Sequence, residues 1–168
     1  DKAVISWYDF SIGWGESVEF IQPSSRSVVL NVVEGGYASN ILGSLKANGN
    51  VFILNPKGIL IGDAHIDVGS LVAAAMNLTY RNPADLIKQY DDFVDGRAPL
   101  RFTSSGSGGY VTSSGRLTAS DGGYIVLLGD IVYNFGTITA NQGTVALGAG
   151  SGFLVSMDQH GAIALTPT

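Results

Sequence analysis

The chain has 168 residues, the length of one domain, and 45% of them are hydrophobic, with a mean hydropathy of +0.25; such a chain buries a core and is not intrinsically disordered. Nine Lys and Arg stand against 14 Asp and Glu, for a net charge of −5, so the cationic footprint that nucleic acid requires is missing. Cys is absent, which excludes disulfides, thiolate metal sites and a cysteine nucleophile, and no run reaches the roughly 18 apolar residues of a membrane helix.

The chain opens Asp1-Lys2-Ala3, with no basic start and apolar stretch, and reads as cytoplasmic or as stripped of a leader. Residues 1–42 read as capping strands, at Val4–Trp7, Val18–Ile21 and Val28–Val33. Their large aromatics Trp7, Tyr8, Phe10, Trp14 and Phe20 suit the end of a stack better than a narrow rung. From Gly43 a repeat sets in: Gly-x-apolar-x-Ala, a Gly/Asn/Asp turn, then apolar-x-apolar. Copies start at Gly43, more loosely at Gly62, and at Gly115 and Gly136. Each apolar-x-apolar piece is a strand of period two with one face inward, too short to bury itself unless stacked on its neighbours. A period near 20 with several strands per turn predicts a right-handed parallel β-helix, all-β, from about residue 40 to the end, as one domain over 1–168. Predicted inward positions are Leu45, Val51, Ile53, Ile59, Ile61, Leu117, Ile125, Leu127, Ile138, Val145 and Leu147, with the pairs Phe153/Val155 and Ile163/Leu165 continuing the series.

Residues 83–101 break the repeat as an insertion. Asn82 suits an N-cap, Pro83 the first helical turn and Asp85 the positive end of the dipole, which predicts a helix over about 83–92 with Leu86, Ile87, Tyr90 and Val94 on one face. Ser104–Gly109 reads as a flexible return to the rungs.

The string Asn55-Pro56-Lys57-Gly58-Ile59 predicts a sharp corner between two strands. Pro sets φ at the second turn position, Gly accepts positive φ at the fourth, and Asn55 bonds its own downstream backbone. Asp63, His65 and Asp67 would share one strand face, but the alternation turns Ala64, Ile66 and Val68 inward and these three to solvent, so a polar outer face explains them without metal. His160 lies alone in a turn, and no nucleophile elbow accompanies either His. Tyr110, Tyr124 and Tyr133 read as outer-face side chains stacking between rungs, with a carbohydrate stripe as the alternative. A carbohydrate-active β-helix enzyme would need paired carboxylates or Asp clusters with bases; after Arg116 there are only Asp121, Asp130 and Asp158, and no Lys or Arg. The chain therefore reads as no enzyme and as needing no cofactor or metal.

Several strings together resemble a known family. Trp7-x-x-Phe10-x-Ile12, Val18-x-Phe20-x-Gln22-Pro23, Val29-Leu30-Asn31-Val32-Val33 and Ile41-Leu42-Gly43-x-Leu45-x-x-Asn48-Gly49-x-Val51-Phe52-Ile53-Leu54-Asn55-Pro56-Lys57-Gly58-Ile59 resemble, in order and spacing, the secretion (TPS) domains of two-partner-secreted exoproteins. The branch resembled is that of the high-molecular-weight adhesins, since no Asn-Pro-Asn-Leu motif precedes Asn55. Lys57 replaces the family's second Asn, and Val32 its Arg. The family's usual stretch before the tryptophan does not stand in these residues, which implies a sequence that begins inside the domain.

The resemblance implies an N-terminal secretion domain recognised by the POTRA domains of a partner outer-membrane β-barrel, exported via the periplasm and folded at the surface of a Gram-negative bacterium as a monomer, as part of an adhesin. Host-cell surface molecules are further partners it implies. Carried over by position, the recognition motif would be Asn31, Asn55, Pro56, Lys57, Gly58 and Ile59. A glycan- or protein-binding adhesin module is the alternative reading.

Overall fold

The computed structural model describes all 168 residues. Chain order and stacking order coincide. The first rung is β1 (Lys2–Trp7), a bridge at Ile12, and β2 (Ser17–Phe20). The second is β3 (Val28–Val33), β4 (Ser39–Ile41) and β5 (Ser44–Ala47); the third is β6 (Asn50–Leu54), β7 (Ile59–Ile61) and β8 (His65–Val68). β9 (Ser70–Ala74) opens a fourth rung, which β10 (Asn77–Leu78), α1 (Pro83–Val94) and β11 (Leu100–Thr103) interrupt before β12 (Tyr110–Ser113) and β13 (Arg116–Ala119) complete it. β14 (Tyr124–Gly129), β15 (Ile131–Asn134) and β16 (Thr137–Ala140) form the fifth, and β17 (Thr144–Ala149) starts a sixth. β18 (Gly152–Met157) and β19 (Ile163–Pro167) follow.

The rungs pair into three parallel sheets, ordered β1-β3-β6-β9-β14-β17, β4-β7-β12-β15 and β2-β5-β8-β13-β16. The fold is thus the predicted parallel β-helix, with crossovers that favour the right hand. Equivalent residues stack: Val29, Val51, Leu71, Ile125 and Val145 lie in one register along the first sheet. Their inner face joins Leu45, Ile59, Ile61, Ile66, Val111 and Leu117 in the solenoid core.

Over β3, β6, β9 and β14 the first sheet is buried on both faces. Val51 and Ile53 point into the solenoid, whereas Phe52 and Leu54 point out into a second core under α1, β11, β18 and β19. The cores hold 21 and 20 buried residues, and the second is shared between the outer face of the first sheet and the layer that covers it. Two-sided burial explains why Val28–Val33 and Tyr124–Leu128 read as near-continuous apolar runs while β8 alternates. α1 forms where the caps predict: Asn82 Oδ1 accepts the Asp85 N–H at 3.0 Å, and the helix runs two residues past the predicted end to bury Leu86, Tyr90 and Phe93. The Arg81 guanidinium, through its hydrogen bond, holds the Asp85 carboxyl down at about 2.

Four expectations change. Val145 and Leu147 are in register with Ile125 and Leu127 but are 42% and 48% exposed, and Ile138 is half-buried, because no rung covers them in these 168 residues. Phe153/Val155 and Ile163/Leu165 are not rung pairs. β18 and β19 form an antiparallel hairpin that leaves the solenoid and pairs with β11, so Phe153, Val155 and Ile163 bury in the second core. Within residues 1–42, only the first rung ends the stack, with Trp7, Phe10 and Phe20 clustered across it at centroid distances of 5.2 and 6.5 Å; β3 and β4 are ordinary second-rung strands, and Tyr8 and Trp14 face solvent. The three tyrosines form no stripe: Tyr124 is buried on the first sheet, while Tyr110 and Tyr133 lie on another.

Candidate functional site

The corner joins β6 to β7. Leaving β6, the chain must turn from one sheet to the next within four residues. The Asn55 carbonyl accepts the Gly58 N–H at 3.0 Å, which closes a β-turn with Pro56 and Lys57 in the middle. The Asn55 side chain is wholly buried and uses three hydrogen bonds. Its Oδ1 accepts the Lys57 N–H at 3.0 Å; its Nδ2 donates to the Tyr37 carbonyl and to Ser39 Oγ, both at 3.0 Å. Its backbone N–H donates to the Ala74 carbonyl at 3.0 Å. One residue thus ties its own turn to the rung below, at Tyr37 and Ser39, and to the rung above, at Ala74.

Gly58 has φ +128°, as the turn requires, and its carbonyl accepts the Ser39 N–H. A Cβ there would stand 2.9 Å from the Tyr110 ring. Gly58→Ala should therefore lower stability by about 1–3 kcal/mol, read as a fall in the urea midpoint at constant m-value.

Asn31 stands apart from the corner, on the inner face of β3 between Val29 and Val33 and opposite Ile53. It is also wholly buried. Its Oδ1 accepts the Trp7 indole N–H at 3.0 Å, and its Nδ2 donates to the Phe52 carbonyl at 3.1 Å. A polar side chain is tolerated in an apolar core because both ends of its amide are satisfied.

Of the six motif residues, then, Asn55, Pro56, Lys57, Gly58 and Ile59 come together and Asn31 does not. Only Lys57 is exposed; Pro56 is half-buried, with its carbonyl accepting from Ser105 Oγ at 3.2 Å. Tyr37 and Ser39, the corner's partners, carried no sequence signal of their own. Two others did: Gln22 and Asn48, from separate strings, bond each other. The Gln22 N–H donates to Asn48 Oδ1 and Asn48 Nδ2 to the Gln22 carbonyl, both at 2.7 Å, while Gln22 Oε1 accepts the Gly49 N–H at 2.9 Å. Trp7 and Asn31 are a second such pair.

The site holds no acid–base pair and no cluster of metal ligands; its chemistry is hydrogen bonding that fixes corners. As the alternation predicts, Asp63, His65 and Asp67 face solvent and Ala64, Ile66 and Val68 are buried. Beside the corner, burial and then the Glu34 charge push the Tyr80 phenol above its usual range.

A family model described as the TPS secretion domain matches residues 1–167. Two Haemophilus influenzae proteins named heme/hemopexin-binding protein are similar: one is 37% identical over 134 residues, covering 77% of this chain and 14% of that protein. The other is 46% identical over 79 residues, covering 46% of this chain and 8% of that protein. The crystal structure of the HMW1 secretion domain from Haemophilus influenzae superposes with a TM-score of 0.80 at 29% identity, over 98% of this chain and 41% of that one. The chain spans a small fraction of the length of the curated relatives it matches.

Proposed function

The chain belongs to the TPS secretion domain family, a family of non-enzymatic secretion domains of large exoproteins exported by Gram-negative bacteria, and from that premise we propose that the POTRA domains of an outer-membrane β-barrel transporter recognise it in the periplasm and pass it to the cell surface as part of an adhesin. The match over residues 1–167 carries this reading. Composition supports it: a chain that threads a pore unfolded is unhindered by disulfides, and Cys is absent. So does the exposed, in-register end at Val145 and Leu147, where further rungs would bury apolar surface and oppose back-sliding.

Recognition divides between two regions. The Asn55–Ile59 corner and Asn31 act through folding, since the amides of Asn31 and Asn55 are spent on internal bonds and Pro56 and Gly58 serve the turn. The early strand, Val18–Ile21, acts by contact: it is free along its length before the rungs form, and even when folded β2 keeps one edge unpaired, with Ile21, just beyond it, 85% exposed. An edge of this kind accepts an added strand. Ile21→Asp is expected to lower affinity for the transporter's purified periplasmic part about tenfold, by calorimetry, with the urea midpoint unchanged. Unchanged affinity would remove the early strand from recognition.

A second reading concerns cargo. The similar Haemophilus influenzae proteins are named heme/hemopexin-binding protein, which supports haem or hemopexin as a ligand of an exoprotein carrying this domain, tested by pull-down of the full-length exoprotein on haem-agarose and on immobilised hemopexin.

A further inference from the structure

We propose that the β18–β19 hairpin is a strap that closes the second core last, locking the insertion onto a solenoid already formed. The two cores differ in how far apart in sequence their parts lie. Apart from the break at the insertion, the solenoid core joins residues about one repeat apart, rung on rung, and its buried members end at Leu127. The second core begins at Val28 and needs Phe153, Val155 and Ile163. β11, from the insertion, pairs on one side with β10, which offers two residues, and on the other with β18, which offers four. In that second pairing Phe102 faces Phe153 and Leu100 faces Val155, partners about fifty residues apart, and the Ser104 N–H adds a bond to the Ser151 carbonyl at 2.8 Å.

The hairpin carries its own turn. Asp158 Oδ1 accepts the His160 and Ala162 N–H groups at 2.8 and 2.9 Å, and the Asp158 N–H donates to the Ala162 carbonyl, so a five-residue loop sets the register of β18 on β19 locally. Until it docks, β11 lacks its longer partner, and Leu100 and Phe102 lack the apolar side chains opposite them. Closing such a long loop costs entropy that rung-to-rung contacts do not, which orders the events: rungs first, strap afterwards. The meaning of that order for export rests on the reading above. A chain emerging N-terminus first would have its rungs outside before the insertion is fixed.

The test is native-state trypsin cleavage of the full chain. Arg101, in β11, reports the strap, while Arg116, in β13, reports the solenoid. Val155→Asp puts a carboxylate opposite Leu100 in the second core; Phe153→Ala is the milder variant. Both are expected to raise cleavage after Arg101, about a hundredfold for Val155→Asp, and to leave cleavage after Arg116 within about twofold. Equal acceleration at both sites, for either variant, would make the two cores one cooperative unit and overturn the strap. No acceleration at Arg101 would overturn it as well. Neither result bears on transporter binding, so the export reading stands or falls separately.

Discussion

Asn55→Ala is expected to destabilise the domain by about 3 kcal/mol and to leave the affinity of the unfolded chain for the transporter's periplasmic part unchanged. The side chain is wholly buried, and truncation leaves a gap and strands Ser39 Oγ, whose residue is wholly buried too; it also takes the partner from the Tyr37 carbonyl and the Lys57 N–H, both on exposed residues. A buried unsatisfied group costs about 1–3 kcal/mol, which falls on Ser39 Oγ; the Tyr37 carbonyl and the Lys57 N–H lie near the surface and are discounted. The measurement is the urea midpoint, paired with binding of urea-unfolded protein diluted onto the transporter fragment. Asn55→Asp sharpens the result: it keeps an acceptor for Lys57 but sets a carboxylate oxygen against the Tyr37 carbonyl, so it should cost at least as much as alanine. A small change in midpoint with binding abolished would make the corner itself the recognition surface.

The same bonds explain what the sequence could and could not reveal. The rungs were legible because Val51-x-Ile53, Ile59-x-Ile61 and Leu117-x-Ala119 each keep a period of two between turn residues, and every one of these side chains is buried. The corner was legible because Pro56 and Gly58 each have one turn position that suits them. The function of Asn31 was not, because an Asn amid Val and Leu shows only that a partner must exist, and the partner, Trp7, lies 24 residues away. Nor could periodicity show which face of the first sheet was covered from outside: Phe52 and Leu54 look like overflow from the pattern until α1 is placed over them. β18 and β19 were misplaced for a related reason. An apolar alternating strand fits a parallel rung and an antiparallel hairpin equally well, and only the Asp158–Ala162 loop distinguishes the two.

Phe93→Ala is the other large effect expected, about 3–5 kcal/mol, and it should be felt in the outer layer. Phe93 is fully buried on the inner face of α1, edge-on to Tyr124 with ring centroids 6.3 Å apart and tilted against Tyr90 at 6.4 Å. Tyr90 in turn packs edge-on against Phe52 of β6 at 5.6 Å. The ring is thus the middle of an aromatic run that seats the helix on the first sheet, and removing it leaves a cavity that those rigid neighbours cannot fill. Burial has pushed the Tyr90 phenol up to about 12 and Tyr124 well above its ordinary range, so the rings around Phe93 stay neutral into alkaline pH. Phe93→Leu keeps much of the volume and should cost only about 1–2 kcal/mol. Hydrogen exchange locates the damage: amides of α1 should lose protection in Phe93→Ala while those of β7 and β8, whose side chains Ile59, Ile61, Ile66 and Val68 belong to the solenoid core, keep theirs. Loss of protection at β7 to the same degree would mean that the helix layer supports the solenoid as much as it rests on it.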